Sequence, residues 1–512
     1  MPLVKDVARG AETEAPPAPA PTPPASGRTR LLVALAAATA FALGLYDLGH
    51  DSFWVDDSFT LLHARLDNAT FWHVIVDHEM NGAAYWTLMH GWVRLGQSET
   101  WMRLPSVLFV TAAVPVLFLL GRRLFDERVA VTAAFLFAVN AYVVEYSHEA
   151  RTYGLTLLLT ITSVYLLVRL VDSPSRGRWL AWVLVTALLA HAHFFGILVI
   201  GAEAVAVVGR WSLPTPRRAL VKGFVAIGIL LSPIVWFLAT GGDQGQVDGA
   251  PDLTPVRFVG VFSRLVGNGG PVLLALAGIA IGVGLWQGVR SILASHGVRT
   301  EAQWSFLLAV LWVALPITSV ALLSLVKPLF GARWLLLVAP ALVLLMSHGV
   351  WQITRVRAAQ GLLAAIVAVS LVSTALFYPR APHDDFRSVT GHVLAHAEPG
   401  DGIVFLPWFT RGGFSVYADQ HPATRDRLDP LDPNPEWGDW LLIDQPPTVT
   451  PERADRLLAG HDRVWVVERA GVESAPQAGD ATVFTEALDA NGYQAVDQQP
   501  YPGLTVTLYE RP

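Results

Sequence analysis

The 512-residue sequence contains no cysteine and few charged residues. The absence of cysteine excludes disulfide bonds, thiolate catalysis, thiolate zinc sites and iron–sulfur clusters. Charged residues make up only 15% of the chain, against about 25% in ordinary soluble proteins. With 36 Lys and Arg against 42 Asp and Glu, the chain also lacks the basic surplus of a nucleic-acid-binding protein. These shortages argue against a water-soluble enzyme and against a nucleic-acid partner.

Hydrophobic residues make up 53% of the chain and are concentrated in long runs. A helix needs about 17–25 apolar residues to cross a bilayer. Runs of this length leave no polar face for water, so we predict a mainly α-helical, polytopic membrane bundle of about eleven spans. The predicted spans begin near Leu31, Leu104, Val129, Tyr153, Trp179, Phe194, Leu220, Val272, Trp304, Trp334 and Gly361.

The distribution of Lys and Arg predicts the orientation of these spans. With the N-terminus in the cytoplasm, the inner loops hold 18 of these residues and the outer loops up to Tyr378 hold 8, as the positive-inside rule requires. We therefore expect a multi-pass plasma-membrane protein whose C-terminal part is extracytoplasmic. The least regular stretch is 179–209, whose basic flanks require two short spans or one re-entrant pair, with the turn at 191–196.

Composition divides the chain into three predicted parts. Residues 1–30 are rich in Pro and Ala and are expected to be a disordered cytoplasmic tail. Residues 31–378 form the transmembrane part, in which the long first outer loop, residues 47–103, carries amphipathic interfacial helices. Residues 379–512 alternate helix and strand patterns and are expected to form a small α/β domain. The patterns there predict a helix from 384 to 394, strands at 402–406, 440–443 and 464–467, and a helix at 451–458.

Two adjacent carboxylates follow the first predicted span, in Trp54-Val55-Asp56-Asp57-Ser58. Neighbouring carboxylates repel each other and remain ionised only where water, a cation or a hydrogen bond stabilises them. One of the pair could therefore serve as a base while the other orients a partner. The alternative is an ordinary helix N-terminus, where the helix dipole stabilises Asp.

Further polar clusters interrupt the apolar sequence on the predicted outer side. Each cluster also has an ordinary structural interpretation. In chain order these are a surface loop, an exposed turn with a Glu–Arg pair, histidines that are hydrogen-bonded in the core, and cations that reach the lipid headgroups. In the cluster at residues 77–81, the spacing fits no common zinc pattern. Because all the clusters lie on one side, we predict a single outward-facing cavity. The clusters are Asp77-His78-Glu79-Met80-Asn81, residues 146–153, His191 with His193, and Lys327 with Arg333.

A cavity of this composition suits a transferase that uses a lipid-phosphate-linked sugar. A cation beside the phosphate allows it to leave without protonation, and a carboxylate base must remove the proton of the acceptor hydroxyl. The chain has no convincing nucleotide-binding glycine loop, and this chemistry needs none. A lipid or solute transporter, or a non-catalytic scaffold, remains an alternative, although charged residues are nearly absent from the predicted spans.

From about Ala36 to Pro399 the sequence resembles the GT-C superfamily of membrane glycosyltransferases, in particular actinobacterial relatives of the protein O-mannosyltransferases and aminoarabinose transferases. Residues 79–86 depart from it, because the family has His-Pro-Pro-x-Tyr-Tyr there. Arg122 and Arg123 match an inner-loop motif. The remaining matches are Trp54-Val55-Asp56-Asp57 to Trp-x-Asp-Glu, Ser98-Glu99 with Arg103-Leu104-Pro105-Ser106 to Ser-Glu…Arg-Leu-Pro-Ser, residues 146–153 to Tyr-Ser-Gln-Glu-Ala-Arg-x-Tyr, His193-Phe194-Phe195-Gly196 to His-Tyr-Phe-Gly, and Arg333-Trp334 to Arg-Tyr.

The resemblance implies an inverting displacement that moves a sugar from a polyprenyl phosphate to an acceptor hydroxyl of a cell-envelope glycan, lipid or protein. Asp56 then takes the acceptor proton, beside Asp57. The metal requirement stays open, because a divalent cation assists some members of the family. Membrane lipids are the other expected partners. The substrate-binding residues implied are Arg151, Lys327 and Arg333 for the phosphate, and His78, Glu79, Asn81, Tyr146, His148, Glu149 and His193 for the sugar or acceptor.

Overall fold

The computed structural model describes residues 24–240, 252–380, 383–432, 437, 449–471 and 478–512. Most of the predicted tail and the predicted strand at 440–443 lie outside these residues. The first described helix begins at Gly27, inside the predicted tail, and the side chain of Ser26 caps it by accepting from the backbone N–H of Thr29. Residues 27–30 of the predicted tail are thus part of this helix.

Within the described part of residues 24–380 the chain is helical. Seventeen α-helices are described there: α1 (Gly27–Leu45), α2 (Val55–Arg65), α3 (Asn68–Asp77), α4 (Ala83–Trp92), α5 (Glu99–Leu124), α6 (Glu127–Ala138), α7 (Ala141–Ser147), α8 (Tyr153–Asp172), α9 (Arg176–Ala192), α10 (Gly196–Gly209), α11 (Arg217–Leu230), α12 (Ser232–Ala239), α13 (Pro255–Leu265), α14 (Gly270–Ala294), α15 (Glu301–Leu323), α16 (Ala339–Trp351) and α17 (Val356–Ala375).

Six of these helices, α1, α5, α8, α14, α15 and α17, are long and apolar enough to cross a membrane. The count rises to eight if the bent pairs α6–α7 and α11–α12 each form one span. A helix or bent pair lies at every predicted apolar run, but α9, α10 and α16 have only 17, 14 and 13 residues. The protein is therefore a polytopic membrane protein with six to eight clear spans, and the count of eleven stays a prediction.

Helix α5 packs against α1, α6 and α8. Its contact with α8 is close because Gly154 has no side chain: a Cβ at that position would lie 2.8 Å from the backbone oxygen of Ser106. Small residues permit such approaches between membrane helices. This crossing fixes the loop between α7 and α8 against the N-terminal half of α5.

Residues 47–103, predicted to carry amphipathic interfacial helices, contain the three helices α2, α3 and α4 ahead of α5. Asp67 caps α3 by accepting from the backbone N–H groups of Ala69 and Thr70. Ser98 caps α5 in the same way through Trp101, so short polar residues separate the helices. Helix α2 packs against α4, and α4 packs against α9. The start of α2 consequently lies close to α4 and, through α4, to α9.

Residues 383–512 form a mixed sheet with flanking helices, which we call the C-terminal sheet region. The strand order is β2-β1-β3-β5-β4, with β1 parallel to β2 and β3, and β5 antiparallel to β3 and β4. Its elements are α18 (Phe386–His396), β1 (Asp401–Leu406), α19 (Arg411–Ala418), α20 (Pro422–Arg425), β2 (Leu428–Pro430), α21 (Pro451–Leu458), β3 (Arg463–Arg469), α22 (Ala478–Ala490), β4 (Gln494–Tyr501) and β5 (Leu504–Glu510).

Both faces of the strand β1 are covered. Ile403 and Phe405 face the core that is shared with the membrane helices, whereas Val404 and Leu406 face α21 and α22. Side chains alternate between the two faces of a strand, so burial of both explains the continuous apolar run in β1. Helix α19 packs on α2, which brings the sheet region to the start of α2. The predicted helices at 384–394 and 451–458 and strands at 402–406 and 464–467 agree with α18, α21, β1 and β3.

Candidate active site

Asp56 lies in the first turn of α2 and faces two arginines. Its Oδ2 lies 3.8 Å from Nε of Arg151 and 3.7 Å from Nη1 of Arg333. Arg151 also donates through Nη1 to the backbone oxygen of Asp56, at 3.5 Å. The Asp56 side chain retains 26% of its exposure. Three loops, those before α2, before α8 and after α15, thus bring together the carboxylate and the two cations that the sequence pattern predicted to meet.

The neighbouring Asp57 is fully buried and occupies the opposite side of the turn. Its Oδ2 accepts from Nε and Nη2 of Arg103, at 3.0 and 2.9 Å, and its Oδ1 accepts from the backbone N–H of Ala150, at 2.8 Å. Burial raises the pKa of the Asp57 carboxyl, and the Arg103 guanidinium opposes that shift. Asp57 therefore joins α2 to α5 and to the loop before α8.

Arg103 also fixes the chain that leads from α1 to α2. Nη1 donates to the backbone oxygens of Leu48 and Asp51, at 3.1 and 2.9 Å, and Nη2 donates to Ser52 at 2.9 Å. The planar guanidinium suits several acceptors at once. Arg103 was not predicted as a site residue. Its position in the Arg-Leu-Pro-Ser signature could have indicated this role.

Aromatic rings form the wall around the two arginines. Arg151 lies 5.1 Å from the ring centroid of Trp86, and Arg333 lies 5.2 Å from that of Trp334. Tyr146 packs edge-on against Tyr153, with 4.6 Å between the ring centroids. Cation–π contacts hold guanidinium groups without consuming their hydrogen-bond donors. Donors of both arginines consequently remain available for an oxyanion.

Glu149 precedes the arginine loop and is buried beside the two aspartates. Its backbone oxygen accepts from Oγ of Ser106, at 2.7 Å. Its Oε2 is buried and has no hydrogen-bond partner among the residues that the structure describes. Burial, with the nearby charges of Asp57 and Asp56, raises the pKa of Glu149 well above its usual value. Its surroundings therefore favour the neutral form of the carboxyl over the charged form.

The turn between α9 and α10 contributes His193, which is buried next to Tyr153. Its Nδ1 accepts from the backbone N–H of Phe195 at 3.2 Å, and Oδ1 of Asn81 accepts from that of Phe194 at 3.1 Å. Burial, together with Arg151 and Arg333, lowers the pKa of His193 to about 3. The imidazole is thus neutral. Asn81 ties the outer loop to this turn.

The remaining predicted residues have contacts with other parts of the molecule. His148 bonds through its ring nitrogens to the backbone oxygens of Val144 and Tyr46, which ties α7 to α1. The ring of His78 packs against that of His73. The charge of Glu79 acts on Arg151, and Lys327 lies in the exposed segment that follows α15.

A metal ion finds no ready-made ligand set. Within the ranges described above, no three His, Asp or Glu side chains group together as metal ligands would. Asp57 is taken up by Arg103, and Asp56 faces two cations, which oppose the binding of a third. The side chains around Asp56 therefore do not fit a metal ion.

Comparison with known proteins gives a family match and a shared fold. Residues 83–237 match the family model of the dolichyl-phosphate-mannose-protein mannosyltransferases. The structure is similar to ArnT from Cupriavidus metallidurans in the apo state, with a TM-score of 0.61 and 13% identity over 94% of this chain and 98% of ArnT. It is also similar to ArnT bound to undecaprenyl phosphate, with a TM-score of 0.58 and 13% identity over 95% and 98% of the two chains.

A third solved structure with this fold is the Archaeoglobus fulgidus oligosaccharyltransferase, with a TM-score of 0.55 and 10% identity over 91% of this chain and 73% of that one. No curated protein sequence matches the chain significantly. The family match is confined to residues 83–237. The solved structures, at 10–13% identity, share the fold of this chain.

Proposed function

We propose that this protein transfers a sugar from a polyprenyl-phosphate donor to an acceptor hydroxyl of a cell-envelope glycan, lipid or protein. One observation carries the proposal: Asp56 lies 3.7–3.8 Å from Arg151 and Arg333, which come from loops far apart in the sequence. The reaction is an inverting single displacement. The acceptor oxygen attacks the anomeric carbon, the bond to the phosphate breaks, and Asp56 takes the acceptor proton.

Arg151 and Arg333 bind the donor phosphate in this proposal. The separations from Asp56 are too long for direct hydrogen bonds, so the guanidinium donors can turn to phosphate oxygens. A charge-assisted contact stabilises the phosphate as it gains charge in the transition state. Related structures have been solved with undecaprenyl phosphate, in ArnT, and with a dolichol-phosphate, in the archaeal oligosaccharyltransferase AglB. Lys327 adds positive charge at the same end of α15.

Asp56 has the exposure that a general base needs. It keeps a quarter of its side-chain surface open, whereas Asp57 is sealed by Arg103 and Ala150. A base must come within hydrogen-bond reach of the hydroxyl whose proton it removes. We assign proton abstraction to Asp56 and the support of its helix to Asp57.

The side chains around Asp56 select the sugar or acceptor. Glu149, whose Oε2 has no partner among the described residues, neutral His193 and the Tyr146 hydroxyl offer the polar contacts. His78, Glu79 and Asn81 line the approach from the outer loop, and His148 supports the loop before α8.

The proposed topology places this pocket at the outer face of the plasma membrane. The N-terminus is cytoplasmic, eleven spans occupy residues 31–378, and residues 379–512 form an extracytoplasmic domain. The excess of Lys and Arg in the proposed inner loops supports this orientation. The pocket then opens on the leaflet from which the donor lipid and the envelope acceptor are both reached.

Gene deletion followed by mass spectrometry of the envelope glycans identifies the product. We expect one sugar substituent to disappear, to return with the wild-type gene, and to remain absent with Asp56→Asn, although this variant is inserted and purified normally. Near-normal product with Asp56→Asn removes the assigned base. If the reconstituted protein moves lipid between leaflets and no glycosidic bond forms, the protein is a transporter and the proposal is wrong.

A further inference from the structure

The chain that leads into α2 is held from two sides. On the membrane side, Arg103 binds the backbone oxygens of Leu48, Asp51 and Ser52. On the other side, the backbone N–H groups of Phe53 and Val55 bond to side chains of the C-terminal sheet region. These N–H groups flank Trp54, directly before Asp56.

Asp384 provides the acceptor for Val55. Its Oδ2 lies 3.4 Å from the Val55 nitrogen, and its backbone oxygen accepts from Oγ of Ser52 at 2.7 Å. Nε of Arg469, at the end of β3, holds both carboxylate oxygens at 3.0 and 3.1 Å. Asp384 is buried, so this arrangement is not a flexible surface contact. A carboxylate at this position also meets the positive end of the α2 dipole.

Tyr417, on α19, provides the acceptor for Phe53. Its hydroxyl accepts from the Phe53 N–H at 2.8 Å and donates to Oε1 of Glu99 at 2.8 Å. Arg387 of α18 holds the same Glu99 oxygen at 2.6 Å. Glu99 of α5 and Arg387 of α18 therefore hold the Tyr417 hydroxyl in place for its bond to Phe53.

We propose that Asp384 and Tyr417 are positioning residues that set the location of Asp56 relative to Arg151 and Arg333. This inference rests on the proposed function, because it assigns the base to Asp56. A buried N–H without an acceptor is costly, so the loss of either side chain drives the chain before α2 to move towards another acceptor. Asp56 follows within one residue of Val55 and moves with it. A displacement of about 1 Å at a reacting group can cost about 100-fold in rate.

The test uses full-length protein and measures kcat and KM separately. Undecaprenyl-phosphate-linked mannose and arabinose are offered in parallel as donors, with membranes of the deletion strain as the source of acceptor. For Tyr417→Phe and Asp384→Ala we expect kcat to fall about 10- to 100-fold, while KM for the donor and affinity for undecaprenyl phosphate stay within about 3-fold of wild type. Asp384→Asn keeps an acceptor for Val55 and should recover part of the lost kcat.

Asp401→Asn is the matched control. Asp401 is also buried, and it is bonded to Nε of Arg463 at 2.9 Å and to Nε1 of Trp465 at 2.9 Å, within the same sheet region. Its loss tests the general integrity of the sheet without touching the amides of Phe53 and Val55. We expect kcat per folded molecule to stay at the wild-type value in this variant.

Hydrogen exchange gives an independent readout of the same contacts. We expect faster exchange for peptides covering 53–57 in Tyr417→Phe and Asp384→Ala, and unchanged exchange there in Asp401→Asn. If Asp56→Asn is inactive while Tyr417→Phe and Asp384→Ala have wild-type kcat, the inference is overturned and the proposed function stands. If Asp401→Asn loses kcat to the same extent, the effect is general and the positioning role is also overturned. Activity of Asp56→Asn at the wild-type level overturns both.

Discussion

The first turn of α2 has an open face and a buried face, and each carries an aspartate, Asp56 on the open face and Asp57 on the buried one. Asp56 keeps 26% of its exposure and meets Arg151 and Arg333 only at 3.7–3.8 Å. Asp57 is fully buried and has short bonds to Arg103 and to the backbone of Ala150. Two adjacent carboxylates can thus take different roles through their environment. A carboxylate without close hydrogen-bond partners remains available for chemistry, whereas one whose oxygens are all hydrogen-bonded has a structural role.

Asp57→Ala should show the largest effect on folding. Removal of one partner of a buried ion pair leaves the other charge without compensation and costs about 3–5 kcal/mol. We expect Asp57→Ala to lower the thermal unfolding temperature strongly in detergent, by fluorescence-detected size exclusion. Asp56→Asn, the paired control, should unfold at the wild-type temperature. Equal stability of the two variants would contradict the division between the two faces.

Arg333→Ala should weaken the binding of the donor on the open face. Hydrogen bonds to charged groups contribute about 1–3 kcal/mol, so the dissociation constant for undecaprenyl phosphate should rise by about 5- to 150-fold. Arg257→Ala removes another arginine, one whose guanidinium donates to the backbone oxygen of Asp252 ahead of α13, and should leave the affinity unchanged. Unaltered binding in Arg333→Ala would refute the assignment of the phosphate site.

Glu149→Gln should reduce turnover much less than Asp56→Asn does. Burial raises the pKa of Glu149, which favours the neutral carboxyl that an amide resembles. The pKa of Glu149 is higher in the folded protein than in the unfolded chain. The free energy of unfolding therefore decreases as the pH rises and Glu149 becomes ionised. The variant should therefore be the more stable protein at alkaline pH. A large loss of turnover with Glu149→Gln at neutral pH would show that an ionised Glu149 is required.

His193→Gln should reduce the acid sensitivity of the protein by a small amount. The unfolded chain binds a proton at His193 below about pH 6.5, whereas the folded protein does so only near pH 3, so stability falls as pH drops through this window. Burial also lowers the pKa of His63, to about 4, so part of the slope should remain. Unfolding temperatures measured between pH 7 and 5 test this. A slope identical to that of the wild type would be inconsistent with a buried neutral His193.

Sequence patterns predicted the parts of the molecule that local chemistry controls. The apolar runs located the membrane helices, because a bilayer imposes length and composition on each span separately. Asp56, Arg151 and Arg333 were predicted to meet, since they stand in motifs of one family. The different fates of Asp56 and Asp57 did not follow from spacing, because they depend on Arg103 and on the loop before α8, which fold onto α2 from elsewhere.

The contribution of the C-terminal sheet region was missed for a related reason. Asp384 and Tyr417 stand in no recognisable motif, and each acts on a backbone N–H more than 300 residues away. Every residue except proline has the same backbone N–H group, so the residue types at 53–55 do not indicate which side chain accepts from it. Strands β4 and β5 were missed too, since the largely exposed, polar residues of β4 give only a weak strand signal.

The structure of the full-length protein with undecaprenyl phosphate bound tests the central claim most directly. We expect the phosphate between the guanidinium groups of Arg151 and Arg333, with oxygens within about 3 Å of their nitrogens, and Asp56 open towards the acceptor side. A phosphate bound elsewhere, with packed side chains between it and Asp56, would contradict the proposed site.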